Sequence, residues 1–90
     1  MNEETVEKLA KTIEKDLLEL YGTPLLSSET LQKALGYRSI DALRQAILRK
    51  TVPVNVFSLE NRRGKFALVK DISIWLAEKA TEAKYKDMKK

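Results

Sequence analysis

Arg62-Arg63-Gly64-Lys65 places three cations within four residues, and Arg38, Arg44, Arg49 and Lys50 add four more across residues 38–50. Side chains of this kind bind phosphate oxygens, arginine by forking onto two acceptors and lysine as a point charge. Gln45 lies among them, and its carboxamide has the donor and acceptor needed for an adenine edge. The chemistry on offer is recognition of a polyanion. Catalysis finds no comparable set: the chain has no histidine and no cysteine, which removes Cys-His and Ser-His nucleophiles, disulfides, zinc fingers and thiolate or imidazole metal sites. Glu3-Glu4 pairs two carboxylates, but no glycine-rich phosphate loop or nucleophile elbow accompanies them. The expectation is a protein that is no enzyme, holds no metal or cofactor and takes no small-molecule substrate.

The charge is unevenly placed. Residues 1–24 carry three lysines against six acids, net −3; residues 25–70 carry nine basic against three acidic, net +6, and include all five arginines; residues 71–90 are net +1. An acidic arm beside a cationic centre fits a polyanion surface confined to one part of the molecule. Ninety residues fit one small domain, which buries roughly 60–65% of its chain surface and argues against a large enclosed active site. No apolar run approaches a membrane span, and Met1-Asn2-Glu3-Glu4 lacks the basic-then-apolar pattern of a signal peptide. A cytoplasmic location without membrane association is expected.

Positioning these cations requires a scaffold, and the apolar spacing supplies one. Val6, Leu9, Ala10, Ile13, Leu17 and Leu20 recur every three or four residues, which predicts an amphipathic helix from Glu3 to about Tyr21, stopped by Gly22-Thr23-Pro24. Its stripe, with Val6, Leu9, Ile13 and Leu17 as the candidate seam, either covers the core or pairs two copies in a homodimer. Ser27-Ser28 starts a second helix that runs to Gly36, and Ser39 caps a third, with Asp41 in its first turn, that runs to about Lys50. Two short helices across a glycine-containing turn make a helix-turn-helix unit. Pro53 ends the helical pattern. Residues 54–59 and 65–69 are rich in β-branched and aromatic side chains around a turn in which Asn61 and Gly64 accept positive φ, predicting a β-hairpin with a basic tip. Asp71 is read as the N-cap of a final helix carrying Ile72, Trp75, Leu76, Lys79, Ala80 and Ala83 on one side, with Trp75 anchoring the core and residues 84–90 fraying as a basic tail.

On the third helix, Ile40, Leu43 and Ile47 share one side and Asp41, Ala42, Gln45 and Arg49 the other, with Arg44 and Leu48 at the flank. That outer side suits a major groove: Gln45 for an adenine edge, Arg49 for guanine or phosphate, and Arg38, Arg44 and Lys50 for backbone phosphates. The basic tip, Arg62, Arg63 and Lys65, suits backbone or minor groove. Asp41 is read as a first-turn acid paired with Arg44. Tyr37, Phe57, Phe66 and Trp75 read as core, which argues against a stacking platform for single strands.

The run from Pro24-Leu25-Leu26-Ser27-Ser28 through Leu35-Gly36-Tyr37, then Ser39 to Arg49, Val52-Pro53, the Arg-Arg-Gly turn and Asp71-Ile72 to Trp75-Leu76 resembles the MerR-like winged helix-turn-helix of phage and plasmid excisionases and AlpA-type regulators. The resemblance covers about Pro24 to Lys79. It implies a winged helix-turn-helix over residues 24–83, so that, with the extra amphipathic helix that apolar spacing predicts in residues 1–23, the expected fold is mainly α with a small β-hairpin. It also implies double-stranded DNA as partner, with Ser39, Arg44, Gln45 and Arg49 as groove or phosphate contacts and Arg62, Arg63 and Lys65 as wing contacts. The function expected is sequence-preferring DNA binding by a nucleoid-associated transcriptional regulator or excisionase-like architectural factor of a mobile element. The alternative is a protein-interaction module that docks a partner through its acidic first helix. Two departures accompany the resemblance: the third helix runs a residue or two long before Val52-Pro53, and the first helix lies outside it.

Overall fold

A computed structural model describes residues 3–88. Among them are four helices and one two-stranded antiparallel sheet, a mostly α fold with a little β: α1 (Glu3–Tyr21), β1 (Leu25–Ser27), α2 (Ser28–Leu35), α3 (Ile40–Arg49), β2 (Phe66–Leu68) and α4 (Val69–Met88).

The caps explain where the helices stop. α1 ends at Gly22, φ 73°, whose N–H donates to the Leu18 carbonyl at 2.8 Å. Thr30 starts α2, its Oγ1 accepting from the Ser27 N–H at 3.2 Å and donating to the Ser27 carbonyl at 2.7 Å. The helix closes on Gly36, φ 82°, with the Tyr37 N–H returning to the Gln32 carbonyl at 3.0 Å. α3 repeats this: Ser39 Oγ accepts from the Ala42 N–H at 3.0 Å, and at the far end the Thr51 N–H returns to the Ala46 carbonyl at 2.9 Å. The left-handed residue there is Lys50, φ 59°, a side chain where α2 has glycine.

The sheet differs from the hairpin that residues 54–59 and 65–69 predict. β2 pairs with β1, Leu25 opposite Leu68, Leu26 opposite Ala67 and Ser27 opposite Phe66. Residues 54–59 contribute one bridge, in which Phe57 and Phe66 exchange N–H···O bonds of 2.9 and 2.8 Å. Burial still alternates, with Val52, Val54 and Val56 half-buried and Pro53 and Asn55 exposed, so the period-two reading of side chains holds although a ladder does not form. In the Phe57–Phe66 register the residue opposite Pro53 is Lys70, which already belongs to α4. No extended partner remains beyond Leu68, and Pro53 has no N–H to offer.

α4 begins two residues before the expected cap. The Val69 N–H donates to the Pro24 carbonyl at 2.8 Å, continuing the β1–β2 register into the helix start, and Asp71 sits in the first turn rather than at the cap. There its charge complements the positive helix end. The helix runs to Met88, past Ala83, where the lost apolar stripe predicts fraying.

The Val69 N–H bond to the Pro24 carbonyl brings the start of α4 beside the end of α1, and the contact between these two helices is the most extensive between described elements. Leu26, Leu31, Leu35, Leu43, Ala67, Val69 and Ile72 form the core, with Leu17, Leu18, Tyr21, Trp75 and Leu76 packed against it. The predicted face of α4 is buried only in its first turns: Ile72 is buried and Trp75 and Leu76 pack on the core, whereas Lys79, Ala80 and Ala83 are exposed and Ser73, Ala77 and Thr81 are buried instead. Hydroxyls escape a hydropathy pattern, yet here each satisfies itself in its own helix, Ser73 Oγ donating to the Val69 carbonyl at 2.8 Å and Thr81 Oγ1 to the Ala77 carbonyl at 2.7 Å. On α1, Ala10 is buried and Val6, Leu9, Ile13 and Leu17 are half-buried.

Candidate nucleic-acid interface

α3 is held by its buried side, Leu43 and Ala46, and offers the opposite side to solvent. Arg44, Gln45 and Arg49 are exposed on it, as are Arg38 and Ser39 in the preceding turn and Lys50 at the end. Ser39 is engaged as the cap. Arg44 Nη1 lies 3.6 Å from Asp41 Oδ1, the expected pair one turn apart, and both side chains are well exposed. A pair so solvated contributes little to stability, roughly 0–1 kcal/mol.

The outward face is rotated from the one the helical wheel suggests. Ala42, read as outward, is half-buried, while Leu48, read as flank, is 80% exposed. Leu48 follows Arg44 by four residues and Gln45 by three, so it shares their ridge. Centring the wheel on Leu43 and Ala46, the residues that are buried, would have found it.

The basic tip is a protruding excursion closed at its base by the Phe57–Phe66 bridge. The Arg62 N–H donates to the Leu59 carbonyl at 3.2 Å, and Asn61, φ 61°, and Gly64, φ 87°, take the left-handed conformations their residue types predict. One pair nearer the base, Lys65 Nζ donates to Ser58 Oγ at 2.9 Å, which orients that ammonium along the stem. Arg62, Arg63 and Lys65 are all exposed.

Helix and tip meet. A groove of about 330 Å³ is lined by Ile40, Leu43, Arg44, Ile47 and Leu48 of α3, by Ser28 at the start of α2, and by Gly64 and Lys65 of the excursion. It is largely apolar, with the Arg44 and Lys65 cations on its opposing elements. Lys50 lies elsewhere, on a groove of about 210 Å³ with Ile47, Val52, Val54, Asn55 and Val56. The structure therefore joins Arg44 to Lys65 and leaves Lys50 on a neighbouring surface.

Comparison with protein-family models, curated proteins and solved structures gives no match.

The aromatic side chains described are committed inward. Phe66 is buried, Tyr37 and Trp75 pack against the core, and Phe57 is half-buried at the bridge. No helix among the described residues is long and apolar enough to cross a membrane.

Proposed function

We propose that this protein binds double-stranded DNA as a winged helix-turn-helix, with α2 and α3 as the helix pair, α3 in the major groove and the excursion at 58–65 as a wing along the adjacent backbone or minor groove. The observation that carries this reading is the shared groove, which brings Arg44 of α3 and Lys65 of the wing to one surface. Two cationic elements distant in sequence and adjacent in space fit a duplex, whose phosphates flank each groove. The inward aromatic residues favour a duplex over single strands. The packing of α1 on α4 within one chain favours DNA over a partner docked by the α1 stripe.

In this reading Gln45 and Arg49 read base edges, Arg38, Arg44, Lys50, Arg62, Arg63 and Lys65 hold phosphates, and Ser39 fixes the start of the helix. No bond is made or broken, and the output is occupancy of a site. A transcriptional regulator or an excisionase-like architectural factor of a mobile element acts in this way.

Fluorescence anisotropy with a labelled random-sequence duplex at 50 and 200 mM salt tests it. About five neutralised phosphates give a log–log slope of roughly −4 to −5, and the combined Arg49→Ala, Arg62→Ala, Arg63→Ala variant should bind weakly with a shallower slope. Affinity that ignores salt, or no binding at 50 mM, rejects the proposal.

A further inference from the structure

Leu48 is a large apolar side chain, 80% exposed, in the last turn of α3, the described helix with the highest net positive charge. Arg44 and Gln45 precede it by one turn on the same ridge, and Arg49 adjoins it. Leu43 and Ala46 hold the opposite side of α3 in the core, and Leu48 stands at the groove that α3 shares with Gly64 and Lys65. The occupant of this face must be anionic enough for Arg44, Arg49 and Lys65, and must also present an apolar group to Leu48.

Duplex DNA meets both demands. Among the base-edge groups of its major groove, the thymine C5-methyl is the apolar one; the rest are hydrogen-bond donors and acceptors. A-form RNA meets only the first, because its major groove is too deep and narrow for side chains and uracil lacks the methyl. We propose that Leu48 is a sequence-reading residue of this surface, packing against a thymine methyl while Arg44 holds backbone phosphate one turn away. This inference rests on the DNA-binding reading above and adds a base preference to it.

The test uses the full chain. Sites are enriched from a random duplex pool, and the enriched duplex is then compared by anisotropy with the same duplex carrying deoxyuridine in place of each thymine, and with the RNA duplex of that sequence. A thymine should recur at one position of the enriched sites. Removing its methyl should weaken wild-type binding about fourfold, the value of one buried methyl-sized group, and the RNA duplex should bind more weakly still. Leu48→Ala should bind the thymine and deoxyuridine duplexes equally, with an unchanged thermal transition because the side chain is exposed. Equal wild-type affinity for the two DNA duplexes, undiminished discrimination by Leu48→Ala, or RNA binding as tight as DNA binding overturns the assignment of Leu48 while leaving a cationic, polyanion-binding surface in place. Failure of the wild type to bind any duplex overturns the DNA reading itself.

Discussion

Two residues in equivalent places make opposite predictions. Gly36 and Lys50 each end a helix in the left-handed conformation, with φ of 82° and 59°. A Cβ at Gly36 would meet nothing within 4 Å, so Gly36→Ala costs only the backbone strain, about 1 kcal/mol. Lys50→Gly releases the same strain against the added freedom of the unfolded chain, for a net gain of about 0.5 kcal/mol. Thermal unfolding should show a midpoint lower by about 4–8 °C for Gly36→Ala and higher by about 2–4 °C for Lys50→Gly. If Lys50 holds a phosphate, the second variant binds duplex more weakly while being more stable, which separates the two roles. Asp41 supplies a third test. It pairs with Arg44 at 3.6 Å and shares α3 with the proposed DNA contacts, so Asp41→Asn should raise duplex affinity about two- to fivefold at 50 mM salt, an advantage that shrinks as salt screens it.

At the scale of elements, the α1–α4 pair is built on small residues. Ser73, Ala77 and Thr81 are buried at four-residue intervals on α4, and Ala10 is buried on α1. Ala77→Leu introduces three carbons where exposure is 0%, and should cost about 1–3 kcal/mol in urea unfolding. Ala80→Leu, three residues on but exposed, should change stability by less than about 0.5 kcal/mol. The reverse order would mean that the apolar pattern of the sequence, which includes Ala80, defines the packed face. The excursion at 58–65 is lightly held, by the Phe57–Phe66 bridge at its base, the Arg62 N–H bond to the Leu59 carbonyl and the contact from Lys65 to Ser58. Its short stem leaves its position to depend on the Val52, Val54 and Val56 side chains that rest on the core.

For the molecule as a whole, α1 is part of the domain. The family resemblance spans about Pro24 to Lys79, yet α1 makes the largest contact with α4, and Leu17, Leu18 and Tyr21 pack against the core. A domain of this size buries too little surface to lose one wall. A chain beginning at Thr23 should therefore lose its cooperative thermal transition in circular dichroism, whereas retention of the wild-type midpoint would show that α1 is an appendage. Residues 1–24 are net −3 and residues 25–70 net +6, an asymmetry that in the proposed reading would orient the chain toward a polyanion.

Helix positions, caps and the identity of the candidate contacts were legible in the sequence because each is a local property. Apolar spacing gave α1, α2 and α3 with their bounds; Ser39, Gly36, Asn61 and Gly64 behave as their own backbone preferences require; and Arg44, Gln45, Arg49, Arg62, Arg63 and Lys65 are exposed as their charge and polarity demand. What the local pattern did not contain was which strand Phe66–Leu68 would join and that Ser73, Ala77 and Thr81 would be the buried residues along α4. Those outcomes depend on pairing between distant segments. β1 reaches β2 across 38 intervening residues, and α4 hides hydroxyls that look polar until their own helix satisfies them. The meeting of α3 and the wing at one groove is of the same kind, a consequence of packing that no stretch of the chain carries alone.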